Sequence, residues 1–214
     1  MILFGVRTPL VVDYEIAAER RGIKLAYGVS VSGHPRTLSD LEIVDIAALG
    51  NRTRGPAVPC AFSPYARKVL AEQAVELGFT LADPLIDPTA ILPPRMRIDK
   101  GGFINAGVVV GGGGMFGAGI VINRAVTVGH HCVLEDWVSI GPGAVVLGNI
   151  RIGENSMIGA GSIILSGIRI GANVRIAAGS VVRKHVPDNS IVSGNPGKIM
   201  RMRGVRSTLE LENE

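Results

Sequence analysis

Seventeen apolar residues stand six apart along this chain without a miss, from Ile86, Leu92, Ile98 and Ile104 onward to Ile170, Ile176 and Val182. The next position in the series is Asp188, which breaks the run. A helix buries a stripe with a period near 3.6 and a strand alternates with a period of 2, so neither produces this spacing. A parallel β-helix does. Each flat side of the coil supplies one inward side chain per hexapeptide, and three hexapeptides close a three-sided turn of about eighteen residues. Residues 84–187 are therefore predicted to form about five to six such coils. Composition agrees: 47% of the residues are hydrophobic but only 4% aromatic, which suits an interior of Ile, Val and Ala stacked on their own kind. The 29 glycines suit corners whose backbone needs positive φ.

The first 80 residues read as alternating strands and helices. Apolar runs at residues 1–6, 24–31 and 57–62 are strand candidates. Helical patterns cover residues 11–21, 38–49 and 64–78, the last opened by Pro64, with Ala66, Val69, Leu70, Ala74 and Leu77 on one face. This alternation implies a parallel sheet. The predicted organisation is a small Rossmann-like α/β domain over residues 1–82, a β-helix over 83–187, and a C-terminal loop and tail over 188–214. The loop contains Gly194, Asn195, Pro196, Gly197 and Lys198, and the tail from Val205 is polar and expected to fray.

Lys and Arg exceed Asp and Glu by 22 to 18. That balance suits anionic small ligands. No basic run interleaved with aromatics points to nucleic acid. Two cysteines exclude a disulfide framework and make a cytoplasmic setting the default. No apolar stretch is long enough for a membrane span, and the N-terminus lacks the pattern of a signal peptide.

A coil of this type is mostly scaffold, so residues that interrupt its monotony carry information. His130 and His131 stand together at a repeat corner after Val128 and Gly129. They are either two solvated polar residues or a general base, since imidazole titrates near neutrality and accepts a proton from an attacking amine or hydroxyl. Zinc hydratase chemistry on a β-helix needs three histidines around an open metal site. Here two of the four histidines are neighbours, and His34 and His185 lie outside the repeats; no metal is expected.

Residues 123–144 (NRAVTVGHHCVLEDWVSIGPGA), 145–153 (VVLGNIRIG) and 192–198 (VSGNPGK), following an α/β domain, resemble the bacterial nucleotide-sugar acetyltransferases of the sialic-acid O-acetyltransferase and UDP-amino-sugar N-acetyltransferase group. The resemblance covers residues 57–203 and implies a left-handed β-helix working as a homotrimer on acetyl-CoA and a nucleotide sugar. It implies His130 as the base, with His131 beside it and the Gly148 backbone N–H, one coil above, stabilising the oxyanion. It implies contacts to acetyl-CoA from Ser139, Gly148, Ala160, Ala178 and Lys198, with Arg203 as a further cation, and to the nucleotide sugar from Gly5, Arg7 and Thr8. Three departures stand out. His131 replaces the usual carboxylate after the base; it can orient His130 but adds no negative charge, and Glu135 or Asp136 are the candidate substitutes. Ser139 stands where a second histidine is common. The loop after the first strand keeps one glycine, and no acid follows the second strand. A non-catalytic binding or scaffold subunit remains the alternative function.

Overall fold

The computed structural model describes residues 1–31 and 33–201. Arg203 and the polar tail lie outside the described residues. The chain opens with a five-stranded, all-parallel sheet made of β1 (Ile2–Phe4), β2 (Gly28–Ser30), β3 (Ile43–Asp45), β4 (Pro56–Pro59) and β5 (Thr80–Leu81). Their order across the sheet is β3-β2-β1-β4-β5. Helix α1 (Val11–Arg20) follows β1, and α2 (Pro64–Glu76) follows β4. All three residues of β1 are buried, as expected for a strand covered on both faces. The α2 start is fixed by Ser63, whose hydroxyl accepts from the Ala66 N–H, and by Pro64 in the first turn.

One predicted helix is absent. Residues 38–49 form β3 followed by a single 3₁₀ turn at Ile46–Ala48. The apolar spacing there was met by neighbours instead of by a helical face: Ile43 and Val44 pair in parallel with Gly28 and Val29, and Leu38 is 73% exposed. The face of α2 also differs from its expected one. Pro64, Arg67, Ala71 and Ala74 point inward, while Leu77 is exposed.

From Leu85 the chain winds through a three-sided parallel β-helix. Each rung is a two-residue strand paired to the strand eighteen residues on, as in Val121 with Ser139 and Ile122 with Ile140. The first face stacks Leu85–Ile86, Phe103–Ile104, Val121–Ile122, Ser139–Ile140, Met157–Ile158 and Arg175–Ile176. The second stacks Val109–Val110, Thr127–Val128, Val145–Val146, Ile163–Ile164 and Val181–Val182. The third stacks Arg97–Ile98, Met115–Phe116, Val133–Leu134, Arg151–Ile152 and Arg169–Ile170. Every six-residue anchor from Ile104 to Val182 is buried in one continuous core, and each contributes about 1.5–3 kcal/mol of burial free energy. Ile86, Leu92 and Ile98 are only partly buried because they cap the open end. Past Asp188 the stack gains one more rung, Ser190–Ser193 on Arg175 and Ile176, and Lys198–Arg201 returns antiparallel to it.

The outer side of the first face carries the N-terminal sheet. Leu85, Phe103 and Val121 share a core with α1 and β1, and the Tyr14 ring stacks on Phe103 at 3.9 Å. Asp13 of α1 accepts from Asn105 and from Arg124, both at 2.9 Å. Arg67 of α2 is fully buried. Its guanidinium donates to the carbonyls of Gly119 (2.5 Å), Ala61 (2.7 Å), Phe62 (2.9 Å), Trp137 (3.0 Å) and Val138 (3.3 Å) and to the Ser139 hydroxyl (2.9 Å). Burial pulls this guanidinium down to about 10, which leaves it charged at neutral pH.

Candidate active site

The corner between the second and third faces carries His130 and His131. Both are exposed. The eighteen-residue register puts Gly148 directly above His130. A methyl group on Gly148 would lie 2.6 Å from His130 Nε2 and 2.8 Å from Cε1, so only glycine lets the imidazole rest there. Among the described residues the Gly148 N–H has no carbonyl partner. The corner thus presents a ring nitrogen and a free backbone donor side by side, a base beside an oxyanion-stabilising dipole. His131 sits at φ +54°, with its ring over Gly113 and its Nδ1 3.0 Å from that of His130. The Cys132 thiol donates inward to the Leu147 carbonyl at 3.1 Å. Burial pushes that thiol up, against the pull of backbone hydrogen bonds, so it stays protonated.

Several expected site residues lie elsewhere. Ser139 is fully buried beneath the N-terminal sheet. Its hydroxyl donates to the Phe62 carbonyl at 2.6 Å and accepts from Arg67, so it fastens α2 to the prism and is not available to a thioester ligand. Asp136 accepts from the Ala118 N–H at 2.8 Å, and Glu135 pairs with Arg151 and accepts from the Glu154 N–H. Those contacts are a corner away, so neither carboxylate serves His130. Ala160 and Ala178 stack on the corner between the first and second faces, joined by Gly179 N–H to the Ala160 carbonyl at 2.8 Å. One chain therefore holds His130 and Gly148 on one edge of the second face and the two alanines on the other. Lys198 is exposed in the terminal hairpin. Beside it a cleft of about 580 Å³ is lined by Arg183, Lys184, Val192, Pro196 and Gly197; these two cations were not singled out in the sequence, because the cleft exists only once the hairpin folds back on the last coil.

Gly5, Arg7 and Thr8 do converge on one cleft, of about 640 Å³. It opens at the carboxyl ends of β1 and β4, where the strand order reverses, the usual ligand crevice of an open parallel sheet. His34 and Arg36, Tyr65 and Gln73 complete its walls. Gly5 itself is required by its φ of +84° and by Leu70, whose Cδ1 would lie 2.5 Å from an added methyl, so this glycine serves packing as well as access. Among the described residues no group of three or more His, Cys, Asp or Glu is arranged to hold a metal ion.

Residues 149–184 match the family described as bacterial transferase hexapeptide (six repeats). No curated protein matches the sequence. Among solved structures, the chain is similar to the acetyltransferase domain of PglB from Neisseria gonorrhoeae, in complex with acetyl coenzyme A, at 29% identity over 93% of this chain and 98% of that one, with a TM-score of 0.83. It is also similar to a variant of perosamine N-acetyltransferase from Caulobacter crescentus, in complex with CoA and GDP-perosamine, at 26% identity, 93% and 95% coverage and a TM-score of 0.85. WeeI from Acinetobacter baumannii, at 21% identity, 93% and 98% coverage and a TM-score of 0.82, shares the fold. The prism and its repeat carry the hexapeptide pattern of that family over residues 149–184, and the whole chain is similar in structure to these acetyltransferases. The chain joins a small α/β domain to a left-handed β-helix and shares this fold with the PglB domain and the perosamine enzyme.

The Gly148 contact is open to a direct check. Gly148→Ala sets its methyl against Nε2 and tilts the imidazole off its seat. We expect kcat to fall by about 10²-fold, the scale of a 1 Å misplacement, with the KM for the acyl donor little changed. Steady-state kinetics on the purified variant measure this, and a kcat within twofold of the parent would count against the seat.

Proposed function

We propose that this chain is an acetyl-CoA-dependent acetyltransferase that moves an acetyl group onto an amino or hydroxyl group of a nucleotide-linked sugar. The observation that carries the reading is the pairing of His130 Nε2 with the free Gly148 amide at one corner. The acceptor attacks the thioester carbonyl directly, and its proton passes to His130 Nε2. The Gly148 N–H meets the charge that develops on the carbonyl oxygen. The carbon–sulfur bond then breaks, and the proton on His130 goes to the departing CoA sulfur. Arg7 and Thr8 hold the phosphates of the acceptor, with the sugar directed to the prism. Ala160 and Ala178 leave room for the pantetheine arm, and Lys198, with Arg183 and Lys184, meets the CoA phosphates. The ligands held by the PglB domain and by the perosamine enzyme support the same pair of substrates, both of which belong to the cytoplasm.

The working unit in this reading is a homotrimer. The outward residues of the second face are Val109, Thr127, Val145, Ile163 and Val181, a column apolar except for Thr127, with Val109 40% and Ile163 37% exposed. The two halves of the proposed site flank this face. Association around a threefold axis covers the column and sets the His130 edge of one copy beside the alanine edge of the next. Ile163→Glu places a charge on that column. The expected result is one-third of the parent mass by light scattering, with acetyl transfer lost although His130 is intact. A parent that is already monomeric at micromolar concentration would remove the trimer.

A thermal-shift screen with acetyl-CoA and a panel of UDP-, GDP- and CMP-sugars tests the function. A ligand at a hundred times its Kd adds about 2.7 kcal/mol to the folded state, which for a chain of this length raises Tm by about 5–11 °C. Release of free CoA thiol in the presence of the stabilising sugar then identifies the acceptor. Ligand-induced stabilisation without thiol release would select the scaffold reading instead.

A further inference from the structure

The cleft at the carboxyl ends of β1 and β4 is walled on one side by α2. Ala66, Val69, Leu70 and Gln73 line it, and their spacing puts them on one stripe of the helix. Val69 and Leu70 stay only partly buried, so the cleft offers a strip of apolar surface. Gln73 ends that strip. Its Oε1 is buried and has no hydrogen-bond partner, an unmet acceptor of a kind that native interiors rarely keep. The last torsion of a glutamine is broad, so the amide turns readily and either end can face the cleft.

The opposite wall follows β2, which neighbours β1 on the side away from β4. It carries Val31, His34 and Arg36. Glu15 of α1 fixes this loop by accepting from the Leu38 N–H at 2.8 Å and the Ser39 N–H at 3.2 Å. The Arg36 N–H donates to the Val6 carbonyl at 3.0 Å. The start of α2 and the loop with Arg7 and Thr8 leave adjacent strand ends, since Phe4 pairs with Pro59. That end combines a cation with a helix N-terminus and suits phosphate. It also abuts the prism, because the Phe62 carbonyl accepts from the Ser139 hydroxyl at 2.6 Å. Gln73 stands two turns further along α2, about 10 Å from Ala66. That span is comparable with the reach from the diphosphate to the base edge in an extended nucleotide.

We propose that Gln73 reads the base of a nucleoside diphosphate held in this cleft. The diphosphate lies at the start of α2, and the sugar it carries points to the prism. The base lies along Val69 and Leu70 with its pairing edge on the Gln73 amide. This rests on the nucleotide-sugar reading of the cleft. An amide offers an acceptor beside a donor, so it matches an edge with an N–H beside an acceptor. Uracil N3–H beside O4 is such an edge, and so is guanine N1–H beside O6. A carboxylate offers acceptors only. It suits the neighbouring N1–H and N2–H donors of guanine and repels the oxygens that flank uracil N3–H.

Titration calorimetry of the full chain with UDP and with GDP tests this. Gln73→Leu should weaken binding of whichever nucleotide the parent takes by about 10-fold. Gln73→Glu should move the preference toward GDP by about 10-fold or more, whichever of the two the parent favours. Far-UV circular dichroism and the ligand-free melting transition should match the parent. If the leucine variant does not fold, the ratio measured on the glutamate variant decides. A leucine variant that binds as tightly as the parent overturns the inference. So does a glutamate variant whose UDP-to-GDP ratio stays within about twofold of the parent's, less than one hydrogen bond is worth. Either result leaves the nucleotide reading in place. A parent that binds neither nucleotide overturns the inference together with the reading of the cleft as a nucleoside-diphosphate site.

Discussion

His130→Ala is expected to lower kcat for acetyl transfer by about 10²–10⁴-fold, the range that a positioned general base contributes. The fold should not notice. His130 is exposed, and the corner it occupies is built by backbone bonds, with the Asn149 N–H donating to the His130 carbonyl at 2.9 Å whatever the side chain. Stability should stay within about 0.5 kcal/mol of the parent, so a fall in rate reads as chemistry. Binding of acetyl-CoA should persist, because its proposed contacts at Ala160, Ala178, Lys198 and the Gly148 N–H do not use the His130 side chain. Turnover measured together with a thermal shift separates the outcomes, and a variant that turns over as fast as the parent would dismiss the base.

Arg67→Met should do the reverse and act on stability first. The buried guanidinium satisfies five carbonyls and one hydroxyl drawn from the loop before α2 and from two coils of the prism. Methionine removes the cost of burying a charge, which favours the variant. It also leaves the Gly119, Ala61 and Trp137 carbonyls without a donor in a region that water does not reach, each worth about 1–3 kcal/mol. The second effect is larger, and we expect a net loss on the order of 4 kcal/mol. For a chain of this length that is a fall in Tm of about 8–16 °C. Calorimetry gives the number, and a Tm within 2 °C of the parent would mean the carbonyls find other donors. The loss should appear first as release of the N-terminal sheet, because the prism core does not include Arg67.

Sequence and structure agree where a single repeated constraint acts. Each anchor from Ile104 to Val182 must face inward once per hexapeptide, so the prism was legible from spacing alone. The parallel N-terminal sheet followed from strand–helix alternation, while Gly5, Arg7 and Thr8, which line one cleft, came from the resemblance. The failures share a cause: each depended on which surfaces meet. Arg67 was not singled out in the sequence, because its burial is set by the prism that lies against α2. Ser139 was a site candidate only through the resemblance, as the place of a common second histidine; here Arg67 of α2 and the loop before it cover it. Ile43 and Val44 carried strand propensity, yet the wider apolar pattern of residues 38–49 also fitted a helix, and pairing with β2 decided it. Asp136 was near His130 in sequence but turned the next corner, where its carboxylate caps the Ala118 N–H.

The eighteen-residue register also restricts how this scaffold can change in length. Deleting one hexapeptide between His130 and Gly148 would carry everything downstream to a neighbouring side of the triangle, and the imidazole would lose the glycine above it. Removing a complete lap further along shortens the tower but leaves every vertical column in line. Length variation among chains of this architecture should therefore come in whole storeys, and a natural variant with a stray six-residue gap inside the catalytic laps should be inert.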